Sequence, residues 1–397
     1  MISSKTFGST LIIAGTTIGA GMVALPIASA GLGFGTASLV MLGLWCLTSY
    51  TALLMVEAHQ HAPQTATLHT LSTQFLGRYG ALLATFATLF LFYALCAAYI
   101  AGSSDQLAHK LSGQWQLTPQ WCAVIVTLLV GAIVSRGAQG VDWVNRILFT
   151  AKLIALVVML SLLTPNITGG ALLERPVAQG FVIASLPVIF TSFGFHGSIP
   201  SIVRYVGIEP TRLKRIFICG SALPLVVYIL WQMASHGVLS QNDLMNSKSS
   251  SELVTMLSAV LTSPRVSQAV SIFIDLALAT SFLGVSLGLF DFLRDRIGAD
   301  NRRFGRTIAA VLTFAPPLCF ALFYPKGFAM ALGYAAIALA ILAIFMPVAL
   351  VYQARKLNCD SYQVRGGNLA LIIVTLAGIA IVGSQLLQMA KLIPAVG

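Results

Sequence analysis

The chain has 397 residues, 57% of them hydrophobic and 9% charged, where a soluble domain carries about 25% charge. No polar stretch is long enough for a separate soluble domain, so the composition points to a single membrane domain. The formal net charge of +11 does not mark a nucleic-acid face, because the basic residues are shared out between apolar runs.

A hydrocarbon core about 30 Å thick needs roughly 20 apolar residues per helix, far more than a barrel strand. In chain order the sequence offers eleven candidate spans: 7–31, 34–57, 80–107, 119–136, 146–164, 178–203, 214–239, 267–292, 306–324, 327–349 and 369–390. With the N-terminus inside, 17 of the 23 Lys and Arg residues fall on the inner side, including Lys152, which lies within span five. The other six (Lys110, Arg175, Lys248, Arg265, Lys326 and Lys391) fall outside. The positive-inside rule then puts the N-terminus in the cytoplasm and the C-terminus on the outer side.

Span one contains Gly15-Thr16-Thr17-Ile18-Gly19-Ala20-Gly21-Met22, followed by Pro26. Glycine and proline disfavour a continuous helix, so a break is expected at mid-membrane depth. A break survives in lipid only where it faces protein, water or a ligand. The N–H groups of Ala20, Gly21 and Met22 would open the outer half-helix and favour an anion such as a carboxylate. The carbonyls from Gly15 to Ile18 would accept an ammonium or another cation. The competing reading is a small-residue packing face, since Gly15 and Gly19 are four apart. Lys5 and Ala28-Ser29-Ala30 resemble a signal peptide, but the apolar stretch is too long and too rich in glycine, so no cleavage is expected.

Residues 58–79 read as an inner loop with an amphipathic turn or two. Span three carries Tyr93 and Tyr99, and spacing alone does not decide which faces a site. Span five carries Lys152, six residues beyond Arg146 and so about 9 Å deeper along a helix. Its ammonium either snorkels to the inner surface or serves a buried site. Span six repeats the pattern of span one: Phe190-Thr191-Ser192-Phe193-Gly194-Phe195-His196-Gly197-Ser198, then Pro200. The phenyl rings either wall a pocket or pack in the bundle. His196, at mid-membrane, either meets substrate, relays a proton, or latches the unwound segment.

Residues 240–266 place Ser249-Ser250-Ser251-Glu252 before apolar residues at helical spacing, which predicts a short outer helix. Span eight holds Asp275, a carboxylate for pairing, an outer vestibule or proton entry, and then Thr280 and Ser281. Residues 293–305 form the most basic inner loop. Cys46, Cys96, Cys122, Cys219 and Cys319 fall in spans and Cys359 in an inner loop, without metal-type spacing, so free thiols and no metal or cofactor are expected.

The two interrupted spans start five apart and so cross in opposite directions. That is the signature of an inverted five-plus-five repeat, with a transport site where the breaks meet. Repeat one is 7–164, repeat two 178–349, and 369–390 is an extra helix.

Ala14-Gly15-Thr16-Thr17-Ile18-Gly19-Ala20-Gly21-Met22 with Leu25-Pro26 resembles the first helix of the bacterial aromatic and hydroxy amino acid permeases. So do the strings 187–198 and 275–284, Phe323-Tyr324-Pro325-Lys326-Gly327-Phe328, and Ala331-Leu332-Gly333-Tyr334. The similarity runs over nearly the whole chain. It implies the amino acid–polyamine–organocation superfamily and an all-α fold of the leucine-transporter type. It further implies proton-driven uptake of an aromatic amino acid, tyrosine first, across the bacterial inner membrane, with a monomer as the working unit. Under the resemblance, the carbonyls of Phe190 and Thr191 face the substrate amine. Lys152 takes the place of the cation in sodium-coupled relatives, near Gly15, Ile18, Thr280 and Ser281. Competing readings are a tryptophan or broad aromatic permease, a sodium-coupled symporter and a transporter-like amino acid sensor. An enzyme is not expected, because HExxH does not occur and the spans hold few acids.

Overall fold

A computed structural model describes residues 4–112, 117–136, 138–247, 249–261, 264–297, 304–357 and 362–394. Lys248, Cys359 and residues 298–303 of the basic loop, all assigned above to loops, lie outside the described residues. Among the described residues the structure is helical, with no strand.

The broken first span is α1 (Ser4–Thr17) and α2 (Ala20–Ala28), whose axes differ by 50°. Then come α3 (Gly33–His59), α4 (Leu68–Leu111), α5 (Pro119–Val134), α6 (Ala138–Leu163) and a single turn, α7 (Gly169–Leu172). The second broken span is α8 (Gln179–Ser192) and α9 (Ile199–Val206), followed by α10 (Pro210–Val238). The short helices α11 (Gln241–Asn246) and α12 (Ser250–Leu261) form the expected outer segment. The remainder is α13 (Pro264–Arg296), α14 (Gly305–Phe323), α15 (Phe328–Ala340), α16 (Met346–Ala354) and α17 (Gly367–Met389). A π turn at Ile341–Phe345 joins α15 to α16 in one span. In α4 the backbone breaks at Gly77, where φ is 66°, a conformation glycine adopts without a side-chain clash. The residues before that kink are the amphipathic turns expected in 58–79, and Thr67 caps them by accepting the Thr70 N–H.

Among the described residues, nine stretches are long and apolar enough to cross a membrane, and the bent α1–α2 pair makes ten. The difference from the expected eleven is α5, which has 16 residues. At 1.5 Å per residue it rises about 24 Å, short of a core about 30 Å thick.

Prolines inside these helices each free the carbonyl four residues earlier, and lipid offers it no donor. For three of them a neighbouring helix supplies one. Trp231 on α10 donates to Met22, four before Pro26, at 3.1 Å. Ser384 on α17 donates to Ile183, four before Pro187, at 2.6 Å. Tyr93 on α4 donates to Leu312, four before Pro316, at 2.9 Å. The extra helix α17 is therefore docked onto the second broken span, where Gln388 also donates to Ala184.

The packing brings both breaks to the centre. α2 lies against α8, α1 against α10, α13 against α6, and α15 against α4 and α8. The larger apolar core surrounds the breaks and the smaller one joins Ile13, Leu54, Phe195 and Phe217 at the N-terminal end of the bundle. That end is clamped by a buried ion pair. Arg355 meets Glu57 at 2.6 and 3.0 Å, while Glu57 also accepts the Val364 N–H.

Candidate functional site

α1 stops at Thr17 and α2 begins at Ala20, leaving Ile18 and Gly19 between them, with Gly19 extended at φ −144° and ψ −156°. The Ala20 N–H is given to Ser281 Oγ at 3.0 Å, and the Met22 N–H turns back to the Gly19 carbonyl at 3.1 Å. Of the three amides expected to meet an anion, two are thus engaged within the protein. Gly21 lines a cavity on one side and backs onto α8 on the other, where a Cβ would meet Ser192 Cα at 3.0 Å. The close approach of α2 to α8 therefore needs a glycine there.

The carbonyls released by the break have definite partners. Ile18 accepts Lys152 Nζ at 2.7 Å, and Thr280 Oγ1 lies 3.3 Å from the same nitrogen. Lys152 is 1% exposed, and its Nζ sits 4.7 Å from the centre of the Phe149 ring. Among the described residues no carboxylate reaches it. A buried ammonium is thus held by a carbonyl, a hydroxyl and a ring face rather than by a counter-ion. Gly15 backs onto Phe149, whose ring would meet a Cβ there at 2.7 Å.

In the second break α8 ends at Ser192, and the chain turns through Phe193–Phe195 into a 3-10 turn at His196–Ser198 before α9. The Tyr228 hydroxyl bridges the two breaks, 2.6 Å from the Thr17 carbonyl and 2.8 Å from the Ser192 carbonyl. Its single proton serves both. Thr191 Oγ1 is spent on the carbonyls of Pro187 and Leu332.

The cavity between the breaks has a volume of about 670 Å³. Gly15, Thr16, Thr17, Gly19, Ala20 and Gly21 of the first break line it, as do Thr191 and Ser192 of the second, with Lys152, Thr280 and Ser281. It extends along α1 past Ile12 and Leu11, both about half exposed, and along α6 past Asn145, which places its mouth at the N-terminal end of the bundle. On the other side of the breaks Met22, Phe190, Trp231, Phe273 and Leu278 are fully buried. Beyond them α12 covers that end. Lys326 meets Glu252 at 2.8 Å, Asp105 accepts the Ser251 N–H at 3.2 Å, and Lys110 pairs with Asp275.

Seven candidate residues, Ile18, Met22, Tyr93, Phe190, Phe193, His196 and Asp275, do not line the cavity, and of these His196 and Asp275 take the latching and pairing roles weighed for them. Phe190 and Phe193 are fully buried and do not line the cavity; Phe193 packs edge-on against Tyr228. His196 is latched to α3 through Thr51 at 2.8 Å. Tyr93 is committed to Leu312, and of the two tyrosines it is Tyr99 that lines the cavity. Asp275 stands at the covered end with Lys110. Ile18 and Met22 contribute carbonyls to Lys152 and Trp231. Tyr228 and Phe149 were not anticipated. A polar atom at mid-membrane in span seven was the available sign for Tyr228, and nothing in the spacing marked Phe149.

The sequence profile of the tryptophan/tyrosine permease family matches residues 2–385. The chain belongs to that family. It is 43% identical over 95% of its length to tyrosine-specific transport system 1 of Haemophilus influenzae, covering 96% of that protein. It is 41% identical to tyrosine-specific transport system 2 of the same organism, with 96% of each chain covered. It is also 32% identical to a tryptophan-specific transport protein of Pseudomonas aeruginosa, over 94% of this chain and 92% of that one. As a multi-pass permease, the chain has its cavity where its two broken helices meet.

Proposed function

We propose that this permease imports an aromatic amino acid, tyrosine before tryptophan, across the bacterial inner membrane as a monomeric proton symporter. The observation that carries the mechanism is Lys152, whose ammonium lies on the Ile18 carbonyl at the first break and opens onto the cavity. A cation-binding role for that position is thereby filled by the chain itself, which favours proton over sodium coupling. The names of the tyrosine-specific relatives support the substrate.

The packing supports the inverted repeat. The third span meets the tenth (α4 with α15) as the eighth meets the fifth (α13 with α6). Likewise the fourth meets the eighth (α5 with α13) as the ninth meets the third (α14 with α4). Shifting every span by five maps one contact onto the other, provided α5 is counted as a span, the fourth of eleven. With the N-terminus cytoplasmic, the cavity opens inward and the α12 end is shut.

In the working cycle the substrate carboxylate approaches Gly21 at the start of α2, and the Ser281 hydroxyl yields the Ala20 amide to it. The substrate ammonium lies against the second break, at carbonyls near Thr191. The ring extends toward Tyr99, Leu95 and Leu332, which line the cavity. Protonated Lys152 holds α1 against α6 and α13 through Ile18 and Thr280. When its proton passes to water in the inward cavity, the charge-assisted bond weakens and α1 is free to move. Uptake of labelled tyrosine into proteoliposomes, with pH and sodium gradients imposed separately, tests this. Accumulation is expected with a pH gradient alone; accumulation with sodium alone would refute the coupling.

A further inference from the structure

A second concavity, of about 710 Å³, lies between α5 and α14, away from the central cavity. Small residues create it. Gly131 and Ala310 leave space above Phe314, whose ring would sit 3.6 Å from a Cβ on Gly131. Its rims, Leu128 and Val311, are 67% and 58% exposed, so it opens onto the belt that faces hydrocarbon in a multi-pass permease. One end is polar and fixed. Arg306, at the start of α14, donates through Nη2 to the Ser135 carbonyl at the end of α5 at 2.9 Å. Exposed Arg136 follows directly. Neither arginine has an ion-pair partner among the described residues. A guanidinium carries five N–H donors, so most of those on Arg306 remain to be used.

An apolar slot between membrane helices that ends in two guanidinium groups, neither ion-paired among the described residues, has the shape and charge of an amphiphile with an anionic head. We propose that the α5–α14 groove binds one anionic phospholipid. An acyl chain lies along Leu128, Gly131 and Ala310, and the phosphate sits on Arg306 and Arg136. Charge selects the occupant: a zwitterionic lipid fills the slot equally well but leaves the two cations poorly matched. A second copy of this chain is a weaker fit, because the protein has only 12 acidic residues to offer them. The lipid would tie α5, the shortest span, to α14 and cover the exposed groove.

Native mass spectrometry of the full-length protein in detergent tests the proposal, with phosphatidylglycerol or phosphatidylcholine of identical chains added. One phosphatidylglycerol should be retained in preference to phosphatidylcholine. Arg306→Gln should weaken that binding about fivefold, the value of one basic residue at an anionic surface, and leave phosphatidylcholine unchanged. Ala310→Phe, which fills the slot and keeps both cations, should lower retention of either lipid. Thermal unfolding confirms that each variant is folded. Equal retention of the two lipids by the native protein would overturn the proposal, as would retention that Ala310→Phe does not alter. A lipid-free dimer that Ala310→Phe dissociates would assign the groove to a second copy and overturn it as well.

Discussion

Trp231 donates its indole N–H to the Met22 carbonyl at 3.1 Å, closing the gap that Pro26 leaves in α2. One turn away on the same face of α10, Tyr228 satisfies Thr17 and Ser192. α10 is thus a rail of donors along a helix that cannot satisfy itself. This explains how a glycine- and proline-interrupted segment keeps one geometry in the bilayer.

Removing these donors should loosen the break without emptying the core. Trp231→Phe retains an aromatic ring but leaves the buried Met22 carbonyl unpaired, at about 1–3 kcal/mol. Tyr228→Phe leaves carbonyls on both breaks unpaired and should cost more. Thermal unfolding in detergent should rank native above Trp231→Phe above Tyr228→Phe. Equal midpoints for all three would mean that the carbonyls find other partners.

Lys152→Ala should abolish accumulation driven by a pH gradient while leaving the protein in the membrane. Hydrogen bonds from a charged group are worth about 1.5–3 kcal/mol, so a loss of tenfold or more is expected. Lys152→Arg should not restore it, because a guanidinium holds its proton and is planar and larger. Full pH-driven uptake by Lys152→Ala would leave the residue no part in coupling.

The sequence made the breaks legible because glycine, proline and small polar residues in an apolar run have few other uses. It made Lys152 legible because a lone cation has few resting places in a membrane. The same logic could not choose between Tyr93 and Tyr99: their span was clear, but the Tyr93 hydroxyl goes to Leu312, freed by a proline more than 200 residues away in sequence. Phe190 and Phe193 illustrate the limit for rings, since pocket walls and bundle core use the same side chain. Which faces meet was set by helix rotation, and periodicity in a span that is apolar all round does not encode it.

Topology is open to direct labelling. Exposed Asn242, on α11, and Phe304, 64% exposed beside α14, stand at opposite ends of the bundle. With the N-terminus inside, an Asn242→Cys protein in intact cells should react with an impermeant thiol reagent, and Phe304→Cys should react only after the membrane is opened. The native thiols need to be replaced first, because Cys46, Cys219 and Cys319 are exposed. The reverse pattern would invert the assignment and make the cavity outward-facing.

Substrate analogues separate main-chain recognition from ring recognition. In the proposed binding mode the carboxylate and the amine would each engage backbone groups at a helix break, where a missing partner leaves a buried donor or acceptor unpaired. The phenol hydroxyl would then meet at most one or two groups in a cavity wall that Leu95, Leu332 and Leu339 help to make apolar. Loss of either end of the amino acid should therefore cost more than loss of the hydroxyl. In competition with labelled tyrosine, tyramine and 4-hydroxyphenylpropionate should inhibit poorly, and phenylalanine should inhibit measurably. Changing Tyr99 to Phe should alter the ratio between tyrosine and phenylalanine, since Tyr99 lines the cavity. The same change at Tyr93 should leave that ratio alone, because its hydroxyl is spent on α14. Tyramine competing as well as tyrosine would remove the carboxylate site from the start of α2.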